Sequence, residues 1–260
     1  MNDSGVSLTW EGDIGLLTVD RPSALNALNS AALAGVLAAA EAAARRPGAR
    51  GLIVTGAGAK AFVAGADVQE MADFSPEQAR RFSELGHRAF ARLEALPFPT
   101  VAAINGFALG GGLELALGCD LLYAADNAKL GFPEVTLAVI PGFGGTQRLS
   151  RRVGVQRAKE LLFVAEPISA ARAKEIGLVL DVVPQAELLT HVRAVLAKIL
   201  QRGPLAIAQV KRMVEDGQDL PLAQANAMEQ QAFGLMFGTA DQREGMSAFL
   251  AKRPPRYQGH

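Results

Sequence analysis

Three consecutive glycines, Gly110, Gly111 and Gly112, interrupt an apolar run and are followed at once by LELALG. Glycine there lets a ligand or another stretch of chain come close to the backbone. LELALG reads as a short buried helix, and the first N–H groups of a helix have no partner within it. Those bare donors, with the positive end of the helix dipole, make a place for negative charge. Glu114 falls inside that first turn, a carboxylate in otherwise apolar sequence. Glu134 follows Pro133 in a second Gly/Pro-rich loop. As purely structural residues, Glu114 would steady a helix N-terminus and Glu134 would decorate a surface loop. A second small-residue loop, Ala64-Gly65-Ala66-Asp67, is also placed to expose amides. Two N–H groups converging on one carbonyl oxygen define an oxyanion hole. Bare donors beside two isolated carboxylates describe a site that holds an oxyanion and moves protons.

Composition narrows the alternatives. The 260 residues are half hydrophobic, enough for one large domain or a domain with an appendage. With 26 basic and 26 acidic residues, nothing favours nucleic acid or an anionic membrane as the main partner. The one cysteine, Cys119, leaves no internal disulfide framework and fits a reducing, cytoplasmic compartment. No apolar run reaches the length of a membrane span, and the start, MNDSGVSLTW, lacks a signal peptide's basic and apolar regions. Of the three histidines, His87 and His191 fall in predicted helices and His260 at the terminus. All three read as surface or packing residues, and metal chemistry has no support. Gly56, Gly58 and Ala61 mimic a dinucleotide fingerprint after a predicted strand, but FVAGADV does not then open a helix.

The chain reads as α/β. Residues 6–10 and 14–19 form a hairpin, and a helix over about 30–46 has Ser30 as N-cap and Pro47-Gly48 as its stop. Strand 51–56, a loop over 57–71 and a long helix from Ser75-Pro76 to about Leu96 follow. Further strands are expected at 100–105, 121–125 and 178–183, with helices at 154–164 and from Ser169 to Ile176. From about Pro184 everything reads as helix: 185–202, 204–217, 221–237 and 241–252, with Asp241 and Glu244 as a capping-box pair. The Ala/Met/Phe-rich faces of that tail must cover the α/β body or another subunit. The division expected is a catalytic domain over 1–195 and a helical region over 196–260.

At RPSALNAL (21–28), KAFVAGADVQEM (60–71), NGFALGGGLELALGCD (105–120), KLGFPEVTLAVIPGFGGTQRL (129–149) and DQREGMSAFLAKRPPRY (241–257), the chain resembles the crotonase (enoyl-CoA hydratase/isomerase) superfamily in order and spacing. The resemblance implies a spiral of ββα units with a C-terminal helical region that builds homotrimers, commonly paired into hexamers. It implies an acyl-CoA thioester as substrate and no cofactor beyond the coenzyme A that the substrate carries. It puts the oxyanion-hole amides on Ala66 and Gly111, and the catalytic glutamates on Glu114 and Glu134. Contacts to coenzyme A fall on Ala24, Leu25, Ala64, Gly65, Ala66, Asp67, Val68 and Gly111, and on Phe249 and Lys252, in some members from a neighbouring subunit. The family often has basic residues where this chain has Ser23 and Gln69, so fewer phosphate contacts are expected.

Possession of both glutamates selects among the family's reactions. Isomerases that move the double bond commonly keep a carboxylate at the Glu134 position and lose that at Glu114. Thioesterases, dehalogenases and decarboxylases usually replace one or both. The leading expectation is an enoyl-CoA hydratase of fatty-acid or branched amino-acid degradation. Within enzymes, the alternatives are a methylglutaconyl-CoA hydratase, which KRPPRYQG and GGLELALGCD resemble, and an enoyl-CoA isomerase. Outside enzymes, some relatives bind RNA through a lysine-rich helix. Here the basic clusters Arg148-Arg151-Arg152 and Lys211-Arg212 are short and lack interleaved aromatics.

Overall fold

The hairpin β1 (Val6–Glu11) and β2 (Ile14–Val19) turns at Gly12-Asp13 and begins the computed structural model, which describes residues 4–260. The first three residues of the start read above lie outside the described residues. Helix α1 (Ser30–Arg45) follows, then β3 (Gly51–Gly56), β4 (Ala61–Val63), the single turn α2 (Val68–Met71) and α3 (Pro76–Glu94). Next come β5 (Thr100–Ile104), β6 (Phe107–Leu109), α4 (Gly111–Leu117), β7 (Leu121–Ala125) and β8 (Lys129–Gly131). Helices α5 (Gly145–Val153) and α6 (Val155–Val164) precede β9 (Ile168–Ser169), α7 (Ala170–Glu175) and β10 (Asp181–Val183). The chain ends in helices α8 (Leu188–Ile199), α9 (Pro204–Gly217), α10 (Leu222–Met236) and α11 (Ala240–Leu250). Among the described residues, no helix is long and apolar enough to cross a membrane.

Successive strand pairs split between two sheets. One sheet has the order β1-β2-β3-β5-β7-β10, and the other β4-β6-β8-β9. So β3, β5 and β7 each send their chain onward to β4, β6 and β8, and each circuit lays one parallel strand on each sheet. This is the spiral of ββα units. Strands β3 and β5 are buried along their whole length, which explains their unbroken apolar runs GLIVTG and TVAAI. At the corner, Asn105 Nδ2 donates to the carbonyls of Gly56 (2.9 Å) and Gly58 (2.7 Å), and its Oδ1 accepts from Gly56 N–H (3.2 Å). One side chain thus ties neighbouring circuits together.

The chain forms two compact units: residues up to Leu96 with Thr100–Arg193, and Pro97–Pro99 with Ala194–His260. Several details depart from the sequence reading, among them the strands of the second sheet, with β4 and α2 inside the loop expected over 57–71. Asn29, not Ser30, caps α1, because its extended backbone lets Oδ1 accept from Ala32 N–H at 2.9 Å. Strand 178–183 shrinks to β10, since the N–H groups of Leu178 and Val179 turn back to the Ala173 carbonyl at the end of α7. Asp241 and Glu244 form no capping box. Thr239 caps α11 by accepting from Gln242 N–H, while Asp241 accepts from Gln258 and Gly259 N–H and Glu244 from Arg253 and Arg256. Both carboxylates anchor the C-terminal segment instead. The glycines at 56 and 58 lead into β4 rather than a helix, so no dinucleotide fold is built there.

Candidate active site

The loop after β4 is held by the RPSALNAL segment. Asn26 is buried with a left-handed backbone (φ 62°); its Oδ1 accepts from Arg21 N–H, and its Nδ2 donates to the Ala57 and Ala61 carbonyls. Arg21 reaches the Ala27 carbonyl and forms an ion pair with Asp67 at 3.1 Å. Ala64 N–H donates to the Leu25 carbonyl, which sets Ala24-Leu25 beside Ala64–Val68. Leu28 and Ala66 form a parallel bridge: Leu28 N–H donates to Gly65 O and Asp67 N–H to Leu28 O, both at 2.8 Å. Those two bonds flank Ala66 and leave its own N–H pointing away from the pairing.

Helix α4 supplies the second donor. Gly110 stands before it with φ 47° and ψ −121°, where a side chain would be strained, and a Cβ there would lie 2.6 Å from Glu134 Oε1. Gly112 packs flat on β4, since a Cβ would come within 1.9 Å of the Val63 carbonyl oxygen. Gly111, the first helical residue, has an N–H that the helix itself cannot use. A Cβ built on Gly111 would sit 3.4 Å from the Ala66 nitrogen. Gly111 and Ala66, the two positions assigned to the oxyanion hole, are therefore neighbours in space.

Glu114, 1% exposed, projects from α4 to the N-terminus of α5. Its Oε1 accepts from Phe143 N–H at 2.7 Å and Gly145 N–H at 2.6 Å. Burial pushes this carboxyl up to about 7 against the pull of those two N–H groups and of the Arg148 guanidinium. Glu134 opens a short 3₁₀ turn after β8. Its Oε2 is buried without a hydrogen-bond partner among the described residues. Burial, with the nearby Glu114 charge adding to it, raises Glu134 to about 7 as well. Two carboxyls placed near neutrality suit proton exchange at physiological pH. Their surroundings differ: two fixed donors favour ionisation of Glu114, while the lone oxygen of Glu134 favours its protonated form.

Both carboxylates line one cavity of about 880 Å³, together with Ala64, Gly65, Ala66, Val68 and Gly111. Six of the sequence-assigned positions beyond Glu114 thus meet here, counting Glu134. Asp67 turns to Arg21 instead, and Leu25 accepts from Ala64 N–H, while the backbone of Ala24 pairs with Arg21 and Ala27. Phe249 and Lys252 belong to the other unit, at the end of α11, where Phe249 is 83% exposed. Among the described residues, no group of three or more His, Cys, Asp or Glu could hold a metal ion.

The far wall is α3, whose side toward the PGFGG loop carries Phe82, Ser83, Gly86 and Phe90. Phe143 packs edge-on against Phe82 (5.3 Å) and Phe90 (5.6 Å), over Gly86, where a Cβ would lie 2.2 Å from its ring. Ser83 Oγ donates to Gly142 O at 2.5 Å. The sequence reading treats His87 as a packing residue, yet it lines the cavity, with burial and Arg148 holding its ring below the usual histidine range. The donors Phe143 and Gly145 also escape sequence reasoning. Their signal is the glycine pair flanking an aromatic just before a helix, which marks a loop but not what it binds. Arg148 and Arg152, part of the basic cluster, point to Glu94 and to the carbonyls of Cys119 and Asp120.

Comparison with known proteins places this geometry. Residues 9–260 match the family model described as enoyl-CoA hydratase/isomerase. The chain is 46% identical over 252 residues to a crotonyl-CoA hydratase of Syntrophomonas wolfei, covering 97% of both chains. It is 44% identical over 253 residues to a short-chain-enoyl-CoA hydratase of Clostridium acetobutylicum, again covering 97% of both. The crystal structure of an enoyl-CoA hydratase from Bacillus anthracis superposes with a TM-score of 0.95 at 41% identity, covering 98% of this chain and 100% of that one.

Proposed function

The chain belongs to the enoyl-CoA hydratase/isomerase family, and from that premise we propose that it is an enoyl-CoA hydratase. It adds water reversibly, and syn, across the double bond of a trans-2-enoyl-CoA to give a 3-hydroxyacyl-CoA. The observation that carries this reading is the meeting of two amide donors and two near-neutral carboxyls on one cavity. The thioester oxygen sits between the N–H groups of Ala66 and Gly111. Glu114, oriented by Phe143 and Gly145, takes a proton from water as the new bond to C3 forms. The double-bond electrons pass to the thioester oxygen as an enolate, where the two amides stabilise the charge. Glu134 then delivers its proton to C2. The turnover leaves Glu114 protonated and Glu134 ionised, and exchange with solvent restores both. No cofactor enters beyond the coenzyme A of the substrate.

Incubation with crotonyl-CoA should deplete the conjugated enoyl-thioester absorbance. Absence of hydration with any short or medium enoyl-CoA overturns the assignment.

A homotrimer, paired into a hexamer, and a cytoplasmic location belong to the same reading. What supports assembly is apolar exposure in the helical unit: Leu222 75%, Phe233 66%, Leu235 70% and Leu250 81%. Phe249 and Lys252 then reach the coenzyme A of a neighbouring subunit. Sedimentation at micromolar concentration should give three or six times the chain mass, and a monomer contradicts the proposal.

A further inference from the structure

We propose that Arg148 and Glu94 form a positioning pair for Glu114, fixing both the place of its carboxylate and the charge it feels. The inference rests on the reading above, in which Glu114 activates water.

Its basis is a continuous set of contacts. Glu94 is the last residue of α3, and Arg148 lies in the second turn of α5. The Arg148 guanidinium makes a fork to Glu94, Nε to Oε1 at 3.2 Å and Nη2 to Oε2 at 2.8 Å, with 17% of the arginine side chain exposed. Its remaining Nη1 donates to the Phe143 carbonyl at 3.0 Å. That carbonyl lies between the two N–H groups, of Phe143 and Gly145, that hold Glu114 Oε1. A planar guanidinium can engage a carboxylate and a carbonyl at once, which a lysine amine cannot do with the same geometry. Ser83 and the Phe82 and Phe90 rings hold the first half of the PGFGG loop, and Arg148 fixes the carbonyl of Phe143, between the two N–H groups that hold Glu114.

The same pair sets the field. The charged and titratable groups around Glu114 are Arg148 from α5, Glu134 from the turn after β8 and, beyond Arg148, His87 and Glu94 from α3. Arg148 favours the ionised form of Glu114. Glu94, paired with Arg148, offsets part of that influence.

The two halves of the pair therefore act on Glu114 in opposite senses, and this separates the proposal from a merely structural role. The test measures kcat and kcat/KM for crotonyl-CoA against pH in the native protein, Arg148→Met, Arg148→Lys and Glu94→Gln. Titration of the Glu114 carboxyl is followed in the same set by carbon-13 NMR, which does not depend on turnover. Arg148→Met should lower kcat about 10- to 100-fold through misplacement of the loop. It should also move the Glu114 titration to higher pH. Glu94→Gln should move it to lower pH, because the arginine charge is then uncompensated. Arg148→Lys should keep the native titration while losing kcat. Shifts of the same sign in Arg148→Met and Glu94→Gln, or none in either, overturn the proposal. Should Arg148→Met fail to fold, Glu94→Gln and Arg148→Lys decide alone: a titration that does not fall in the former overturns it. A native protein that does not hydrate any enoyl-CoA removes the proposed function instead, and the NMR titrations still decide whether the pair governs Glu114.

Discussion

Replacing Glu114 with glutamine should slow hydration of crotonyl-CoA by about 10³-fold, or roughly 4 kcal/mol of transition-state stabilisation. Glutamine has nearly the same shape, and its amide oxygen can still accept from Phe143 and Gly145 N–H at the positions now taken by Oε1. What it cannot do is receive a proton from water. The amides proposed for the oxyanion hole, at Ala66 and Gly111, remain in place, so affinity for coenzyme A thioesters should stay near native. Steady-state rates and calorimetric binding of a saturated acyl-CoA check both halves. Turnover within a few-fold of native would show that Glu114 is only a helix-terminus carboxylate.

Glu134→Gln should cost about 10²- to 10³-fold in the same assay, by removing the proton donor to C2. It carries a second, thermodynamic signature. The folded carboxyl titrates near 7 and the unfolded one near 4.5. Between those values the folded chain keeps a proton that the unfolded chain has released. The unfolded state thus binds fewer protons there, and stability falls as pH rises through the window. Above about pH 7 the cost of the buried charge is fully present; below about pH 4.5 it is absent. The glutamine variant should therefore melt at a higher temperature than native at about pH 8, with the gain shrinking towards about pH 4. An equal difference at both pH values would mean that the buried charge is not its cause.

The parts of this molecule legible in the sequence are those decided locally. The hairpin at Glu11-Gly12-Asp13, the Ser75-Pro76 start of α3 and the Ser169 cap of α7 each depend on a few adjacent residues. Three-residue strands carry too little periodicity to be seen, which hid β4, β6 and β8 and with them the second sheet. Glu114 and Glu134 stood out as carboxylates in apolar or glycine-rich sequence, and the family resemblance gave them roles. Their partners did not stand out. Phe143 and Gly145 meet Glu114 across 29 and 31 residues of chain, and His87 reaches the cavity because of the face α3 turns to the PGFGG loop. Asp241 and Glu244 show the converse, a local pattern overruled by a C-terminal segment that needed anchoring.

Every circuit of the spiral contributes to the candidate site and none holds all of it: Ala66 follows β4, Gly111 and Glu114 follow β6, and Glu134 follows β8. Competence is accordingly a late product of folding. A nascent chain wound through its first circuit carries a single unpaired amide. Without the third circuit and α5, Glu114 would have neither the Phe143 and Gly145 N–H groups nor the loop that buries it. Packing of the 143–145 loop over Glu114 buries the carboxyl, and that burial lifts it towards neutrality against the pull of the Phe143 and Gly145 N–H groups. Such distant contacts are also the slow ones to form. Recovery of hydration on refolding should therefore report the joining of the α5 terminus to Glu114.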